Sequence, residues 1–308
     1  MKWSALMFLL LVVPQFSMAG FEERFEDADL GSRGWYDNTN PILVSAETFP
    51  GSNYFVEFRF PSGATKPING GPMRRAFSET DTVYIRYHVK YSDNWEGSNR
   101  NYHPHEFMLL TNQDGRWTGP AYTHLTAYVE QNALRPMLAI QDGRNIDMDN
   151  INADLVGITE NRSVAGCNGT INKGYDSISC YPAGSGMYWN GTSWRAGSPV
   201  INAGSWHKVE AYFKLNSITD GKGVADGVMK YWLDDELIIN QSNVMFRTGK
   251  HPDMKFNQLV IAPWIGDGSP VDQTFWIGNV KVATSMPEGA EDYIIKRPTN
   301  LRAISTMQ

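Results

Sequence analysis

Four of the six histidines, His88, His103, His105 and His124, fall between residues 88 and 124, interleaved with cations and phenols. In Val83–Tyr91 (VYIRYHVKY), Arg86, His88 and Lys90 alternate with Val83, Ile85, Tyr87, Val89 and Tyr91. In Thr123–Glu130, His124, Thr126, Tyr128 and Glu130 alternate with Leu125, Ala127 and Val129. Period-two alternation sends the two sets to opposite faces of a strand, one apolar and buried, the other rich in titratable groups. Lys208, Tyr212 and Lys214 follow the same rule in Trp206–Leu215, Arg135 lies on the strand after Glu130, and His103 and His105 sit at the mouth of a short strand. Imidazole and phenol groups can carry protons in catalysis, and guanidinium and ammonium groups hold anions. The chemistry open to such a set is proton transfer beside a neutralised anion. The competing reading of Arg86, His88 and Lys90 is a solvated face.

The elements that must position these groups are strands. Ile42–Ala46, Tyr54–Phe60, Met73–Phe77, Val83–Tyr91, Glu106–Leu110, Thr123–Glu130 and Leu134–Gln141 carry strand patterns. Phe21–Tyr36 reads as an edge strand with a Gly-punctuated turn, and 61–72 as a Pro/Gly-rich loop. Trp206–Leu215, Gly227–Leu233, Glu236–Asn240, Phe256–Ala262 and Gln273–Val282 follow. Hairpin turns are expected at Asn132-Ala133 and Asp234-Asp235. A dozen short strands with polar turns, scarce helix and no internal repeat predict an all-β, two-sheet antiparallel sandwich. Residues 142–204 are rich in Gly, Asn and Ser and read as an insertion holding short strands such as Gly186–Trp189, with at most a turn or two of helix in Asp147–Leu155.

The chain has 308 residues and a formal charge of −6, which argues against a nucleic-acid binder. Lys2, an apolar run over Ala5–Val13 and the small residues Ser17 and Ala19 read as a secretory leader, Met1–Ala19. No later stretch is apolar for long enough to span a membrane. The single domain is expected over 20–290, with a C-terminal tail at 291–308. Cys167 and Cys180, the only two cysteines, read as a disulfide in an exported chain, clipping the insertion. Sequons occur at Asn161, Asn168, Asn190 and Asn240.

Three stretches carry a family likeness. VYIRYHVKYSDNW resembles the strand before a variable substrate loop, WHKVEAYFKLNS with DGVMKYWLDDELI resembles paired framework strands, and FWIGNVKVAT resembles a closing strand, all in the concanavalin A-like lectin/glucanase superfamily. Within it the chain is most similar to jelly-roll polysaccharide lyases of the alginate- and glucuronan-lyase type, over Phe21–Thr284. Alginate lyases of this fold commonly carry Q-x-H and R-x-E-x-R patterns, and this chain has neither. The E-x-D-x-E strand of the related glucanases is also missing, which disfavours retaining glycoside hydrolysis. The resemblance implies a lyase that cleaves an extracellular, uronate-containing polysaccharide by β-elimination; the leader implies that it is secreted, and a monomer is expected. Such a reaction needs a cation at the carboxylate, a base for the C5 proton and an acid for the leaving oxygen. The residues expected in those roles are His124 or His105 as base, Tyr128 as base or acid, and Arg86 with His88 at the carboxylate. His103, Lys90, Arg135, Lys208, Tyr212 and Lys214 are expected to bind substrate. The alternative is a lectin-like module that binds carbohydrate without catalysis. No organic cofactor is implied. A structural calcium fits the superfamily, but the turn Asp220–Asp226 offers only those two carboxylates, and no metal ligands are assigned.

Overall fold

The alternation in the sequence becomes two antiparallel sheets packed face to face in a computed structural model of the chain. It describes residues 20–45, 54–68, 70–100, 104–111, 123–142, 191–247, 249 and 252–287, with short strands at 169–170 and 187–188. The expected leader, C-terminal tail, cysteine pair, His103 and the sequons at Asn161, Asn168 and Asn190 lie outside the described residues. So does the helical turn expected within Asp147–Leu155.

Strands are numbered β1–β19 in chain order. The eight-stranded sheet holds β1 (Gly20–Glu23), β3 (Ile42–Ser45), β4 (Tyr54–Phe60), β6 (Thr82–Tyr91), β13 (Trp206–Lys214), β16 (Gly227–Leu233), β17 (Glu236–Val244) and β19 (Gln273–Ala283). Its order is β17-β16-β13-β6-β19-β4-β3, with β1 also on β19. The seven-stranded sheet holds β2 (Trp35–Asp37), β5 (Met73–Thr80), β7 (His105–Thr111), β8 (Leu125–Asn132), β9 (Arg135–Asp142), β12 (Gly191–Arg195) and β18 (Phe256–Trp264). Its order is β12-β9-β8-β7-β18-β5-β2. Two small pairs complete the set: β10 (Gly169–Thr170) with β11 (Met187–Tyr188), and β14 (Ile218–Thr219) with β15 (Lys222–Gly223). No helix occurs among the described residues, and none is long and apolar enough to cross a membrane.

The apolar sets named from sequence meet between the sheets. Val83, Ile85, Tyr87, Val89 and Tyr91 of β6 face Phe107, Leu109, Leu125, Ala127 and Val129 of β7 and β8 in one core. The Tyr87 and Phe107 rings stack across it at 4.0 Å. Burying a side chain of this size stabilises by about 1.5–3 kcal/mol.

The hairpins need left-handed backbone at both central residues. Asp234 (φ 49°) and Asp235 (φ 69°) supply it between β16 and β17, as expected. Between β8 and β9 the turn is Ala133-Leu134 (φ 51° and 59°), one residue beyond the expected position. The reason is that Asn132 stays in the ladder opposite Arg135, while Gln131 Oε1 accepts the Leu134 N–H at 3.0 Å. Strand β8 also starts two residues late. Thr123 Oγ1 accepts the Thr111 N–H at 2.9 Å, which ties the chain down before the ladder begins. The end of the expected insertion belongs to the sandwich: Gly191–Arg195 pairs with β9, and Ile201 is in the core.

Candidate active site

The outer face of the seven-stranded sheet brings together the residues best suited to proton transfer. Register sets Tyr36, Arg74, Val260, Met108, Tyr128 and Ala139 opposite one another across six strands. A neighbouring row holds Trp264, His105, Glu130, Met137 and Arg195. At a spacing of about 4.8 Å per strand, the distance from β5 to β12 is roughly 24 Å, long enough for several sugars of a polymer. The middle of the face is apolar and buried, formed by Met108, Leu110, Tyr128, Ala139, Val260 and Ala262. Polar groups flank it on both sides.

His105 departs from the alternation of its strand beside an irregularity in the sheet. Ile261 pairs with Phe107, but the next pair is Trp264 with His105, so β18 carries one extra residue there. Such a bulge re-aims side chains. Strict alternation from Phe107 would put His105 on the core side and Glu106 outside. Instead His105 lies beside Tyr128 and Glu130 on the outer face, while Glu106 turns into the core. His105 Nδ1 is 2.6 Å from Glu130 Oε1, and the His105 ring stacks on the Tyr128 ring at 5.4 Å. A carboxylate that accepts from Nδ1–H leaves the basic lone pair on Nε2. Tyr128 donates its hydroxyl to Gln141 Oε1 at 2.7 Å.

Cations border this cluster. Partial burial, then the Arg135 charge, holds Arg195 below its ordinary value, which places these two guanidinium groups within electrostatic reach of each other. At the opposite end Arg74 donates to Asp37 (2.9 Å) and to Gln258 Oε1 (3.1 Å), and Gln258 donates to the Tyr36 hydroxyl. Lys66, from the Pro/Gly-rich loop, lies 5.3 Å from the Trp264 ring centre, presenting an aromatic plane with a cation at the rim.

Glu106 is fully buried on the core side of the same strand. Tyr91 donates to both of its oxygens (2.8 and 2.9 Å), and Gln131 Nε2 donates to one (3.2 Å). Burial pushes its carboxyl up to about 8, against the lowering effect of these hydrogen bonds, and the Glu130 charge pushes the same way as burial.

The expected sites divide between the two sheets. Tyr128, His105 and Arg135 share the outer face of the seven-stranded sheet. His124 is half-buried just before β8, its N–H bonded to the Thr111 carbonyl. Arg86, His88 and Lys90 of β6, with Lys208, Tyr212 and Lys214 of β13, lie on the outer side of the eight-stranded sheet, across the whole core. The expectation that Arg86 and His88 share a cleft with Tyr128 is therefore corrected by the topology.

That second face is closed rather than open. Gly278 lies opposite His88, and a Cβ on it would come within 2.5 Å of the Phe55 ring. The Phe55 ring meets Trp206 at 4.1 Å, so the two rings bridge β19 and β6. Lys208 pairs with Asp235 and Glu210, Tyr84 donates to Glu210, and Lys90 lies over Trp276. Burial, then Arg86 and Lys208, push His88 down to about 4, so it carries no charge at neutral pH to offer a carboxylate. No cluster of three or more metal-ligating side chains is found among the described residues. Asp226, one of the two carboxylates considered for calcium, instead accepts from the Ser217 N–H and hydroxyl.

Residues of the site that alternation did not single out are Arg74, Gln258, Gln141, Arg195, Trp264 and Lys66. They come from five separate segments, four of them strands that only sheet pairing joins, with Lys66 added through its contact with Trp264.

The two-sheet jelly-roll fold is similar to that of solved alginate lyases. Among solved structures, alginate lyase vAL-1 from Chlorella virus superposes with a TM-score of 0.52 at 11% identity, covering 80% of this chain and 90% of that one. The marine PL-14 alginate lyase from Aplysia kurodai gives 0.50 at 11% identity, with 86% and 98% covered. A variant of alginate lyase Aly36B in complex with an alginate trisaccharide gives 0.50 at 10%, with 88% and 100% covered. At these identities the likeness is one of fold. No protein-family profile matches the chain, and no curated protein matches it by sequence.

Proposed function

We propose that this protein is a secreted polysaccharide lyase that cleaves an anionic, uronate-containing glycan by β-elimination on the outer face of the seven-stranded sheet. The observation that carries the proposal is the His105–Glu130 pair stacked on Tyr128, flanked by Arg135 and Arg195 on a face about 24 Å wide. The fold shared with alginate lyases supports it, and the N-terminal leader pattern supports export.

Arg135 or Arg195 holds the uronate carboxylate, which makes the C5 proton more acidic. His105 Nε2, or the Tyr128 oxygen, takes that proton. The electron pair forms the C4–C5 double bond as the C4–O bond breaks, and the other group of the pair protonates the leaving oxygen. Each such proton transfer is worth ~10²–10⁴-fold in rate. Glu130 stabilises the positive imidazole that forms when His105 is the base.

The test is incubation with alginate, glucuronan and glycosaminoglycans while following absorbance of the unsaturated product. Wild type should form product on at least one polymer, and His105→Ala should lower the rate ~10²-fold or more. Retention of the polymers on a glycan array without product from any of them would replace the lyase with the lectin-like, binding-only reading.

A further inference from the structure

The outer face of the eight-stranded sheet has no part in the chemistry above, yet its charge runs against that of the chain, which is −6 overall. On β6, β13 and β19 the positions that alternate with the core hold Arg86, Lys90, Lys208, Lys214 and Lys281 against one carboxylate, Glu210. Glu210 accepts from Tyr84 and pairs with Lys208. Register sets Lys281 directly opposite Arg86, and neither has an ion-pair partner among the described residues. Like charges directly opposite one another destabilise a sheet, a cost that a bound anion would remove. A flat row lies beside this pair. Lys90, Trp276 and Glu57 follow one another across β6, β19 and β4, and Trp206, stacked on Phe55, closes one end. Glu57 accepts the Trp276 indole N–H at 2.9 Å and an Arg59 N–H at 2.8 Å, which holds the indole in place. Lys90 Nζ lies 5.8 Å from the Trp276 ring centre and has no ion-pair partner among the described residues. Trp276, Lys90 and Lys281 are all partly exposed.

We propose that this face is a second, non-catalytic binding site for a uronate-bearing polysaccharide, in which Trp276 stacks on a sugar ring while Lys90 and Lys281 hold carboxylates of the polymer. An aromatic plane fixed beside cations that lack anions suits a ring that carries a carboxylate: the plane covers the C–H face of the sugar and the ammonium takes the charge. A net positive face on an acidic protein also selects polyanions over neutral polymers. The choice of uronate rests on the proposed function, whereas the charge and the ring on which the site stands do not.

The experiment is affinity electrophoresis of the whole protein through native gels containing alginate, glucuronan or, as a neutral control, dextran. The parent carries His105→Ala, Arg135→Ala and Arg195→Ala, which removes the base and the cations proposed for the other face. It should be retarded by a polyuronate and not by dextran, and less so as salt rises. Adding Trp276→Ala should weaken the retardation about tenfold. Adding Lys281→Glu should weaken it as well, while urea unfolding shows a stability equal to or above the parent's, because the new carboxylate faces Arg86. A loss of binding through misfolding would lower that stability instead. No retardation by either polyuronate, equal retardation by dextran, or unchanged retardation in either folded variant would overturn the proposal. Retardation that falls in both variants, with no product from wild type on any polymer, would remove the lyase reading and leave this site in place. Product from wild type with unchanged retardation in the variants would do the reverse.

Discussion

Replacing Glu106 with Gln should change how stability depends on pH more than it changes stability at any one pH. In the unfolded chain Glu106 gives up its proton near 4.5, whereas burial keeps the folded-state proton until about 8. A carboxyl raised in this way contributes its full stability below the unfolded value and loses it as pH rises through the folded value. Between those limits each pH unit costs roughly 1.4 kcal/mol, and the whole window costs on the order of 3–5 kcal/mol. Glutamine keeps an oxygen for the Tyr91 and Gln131 donors but has no proton to lose. It should cost about 1–3 kcal/mol at pH 5 for an extra buried N–H and become the more stable form by pH 8–9. Urea unfolding followed by the fluorescence of the 10 tryptophans would measure this at several pH values. The stability of wild type minus variant should fall steadily from pH 5 to 8 and level off above. A difference that stays constant over that range would refute the reasoning.

Three further outcomes follow from the geometry. Asp234 raises His207, so their pair contributes fully below about 6.5 and fades as pH rises through the higher folded value; His207→Gln should remove under about 1 kcal/mol of this dependence in the same unfolding series, since solvent screens the exposed Asp234. Gly278→Val should push Phe55 off Trp206, costing ~1–3 kcal/mol and altering the near-ultraviolet circular dichroism while leaving polymer cleavage intact. Arg135→Ala and Arg195→Ala should raise KM more than they lower kcat, with a KM that depends less on salt than in wild type.

Much of the fold was legible because long strands with one buried face state their own period. Val83–Tyr91, Trp206–Leu215 and Gln273–Val282 lie within a residue of β6, β13 and β19. Gly191–Arg195 was not legible. It is a short edge strand in a Gly- and Ser-rich stretch, and only its pairing with β9 makes it part of the sheet. The site was legible in kind but not in place. Alternation correctly sets Arg86 and Tyr128 opposite their own apolar neighbours, but each strand has its own outside, and these are the two outsides of a sandwich. The orientation of His105 was hidden for a different reason: the alternation of β7 breaks between Glu106 and Phe107, beside an extra residue in β18 some 160 positions away in sequence. The closure of the Arg86 face depends on a missing side chain at Gly278, which gives Phe55 room to reach Trp206.

The account stands most directly on which face of the sandwich works. Initial rates of unsaturated-product formation on one cleavable polymer, for Tyr128→Phe and Arg86→Met side by side, measure this. Tyr128→Phe should lose ~10²-fold or more while Arg86→Met stays close to wild type. Loss of activity in a folded Arg86→Met, with Tyr128→Phe unaffected, would contradict the account and move the chemistry to the eight-stranded sheet.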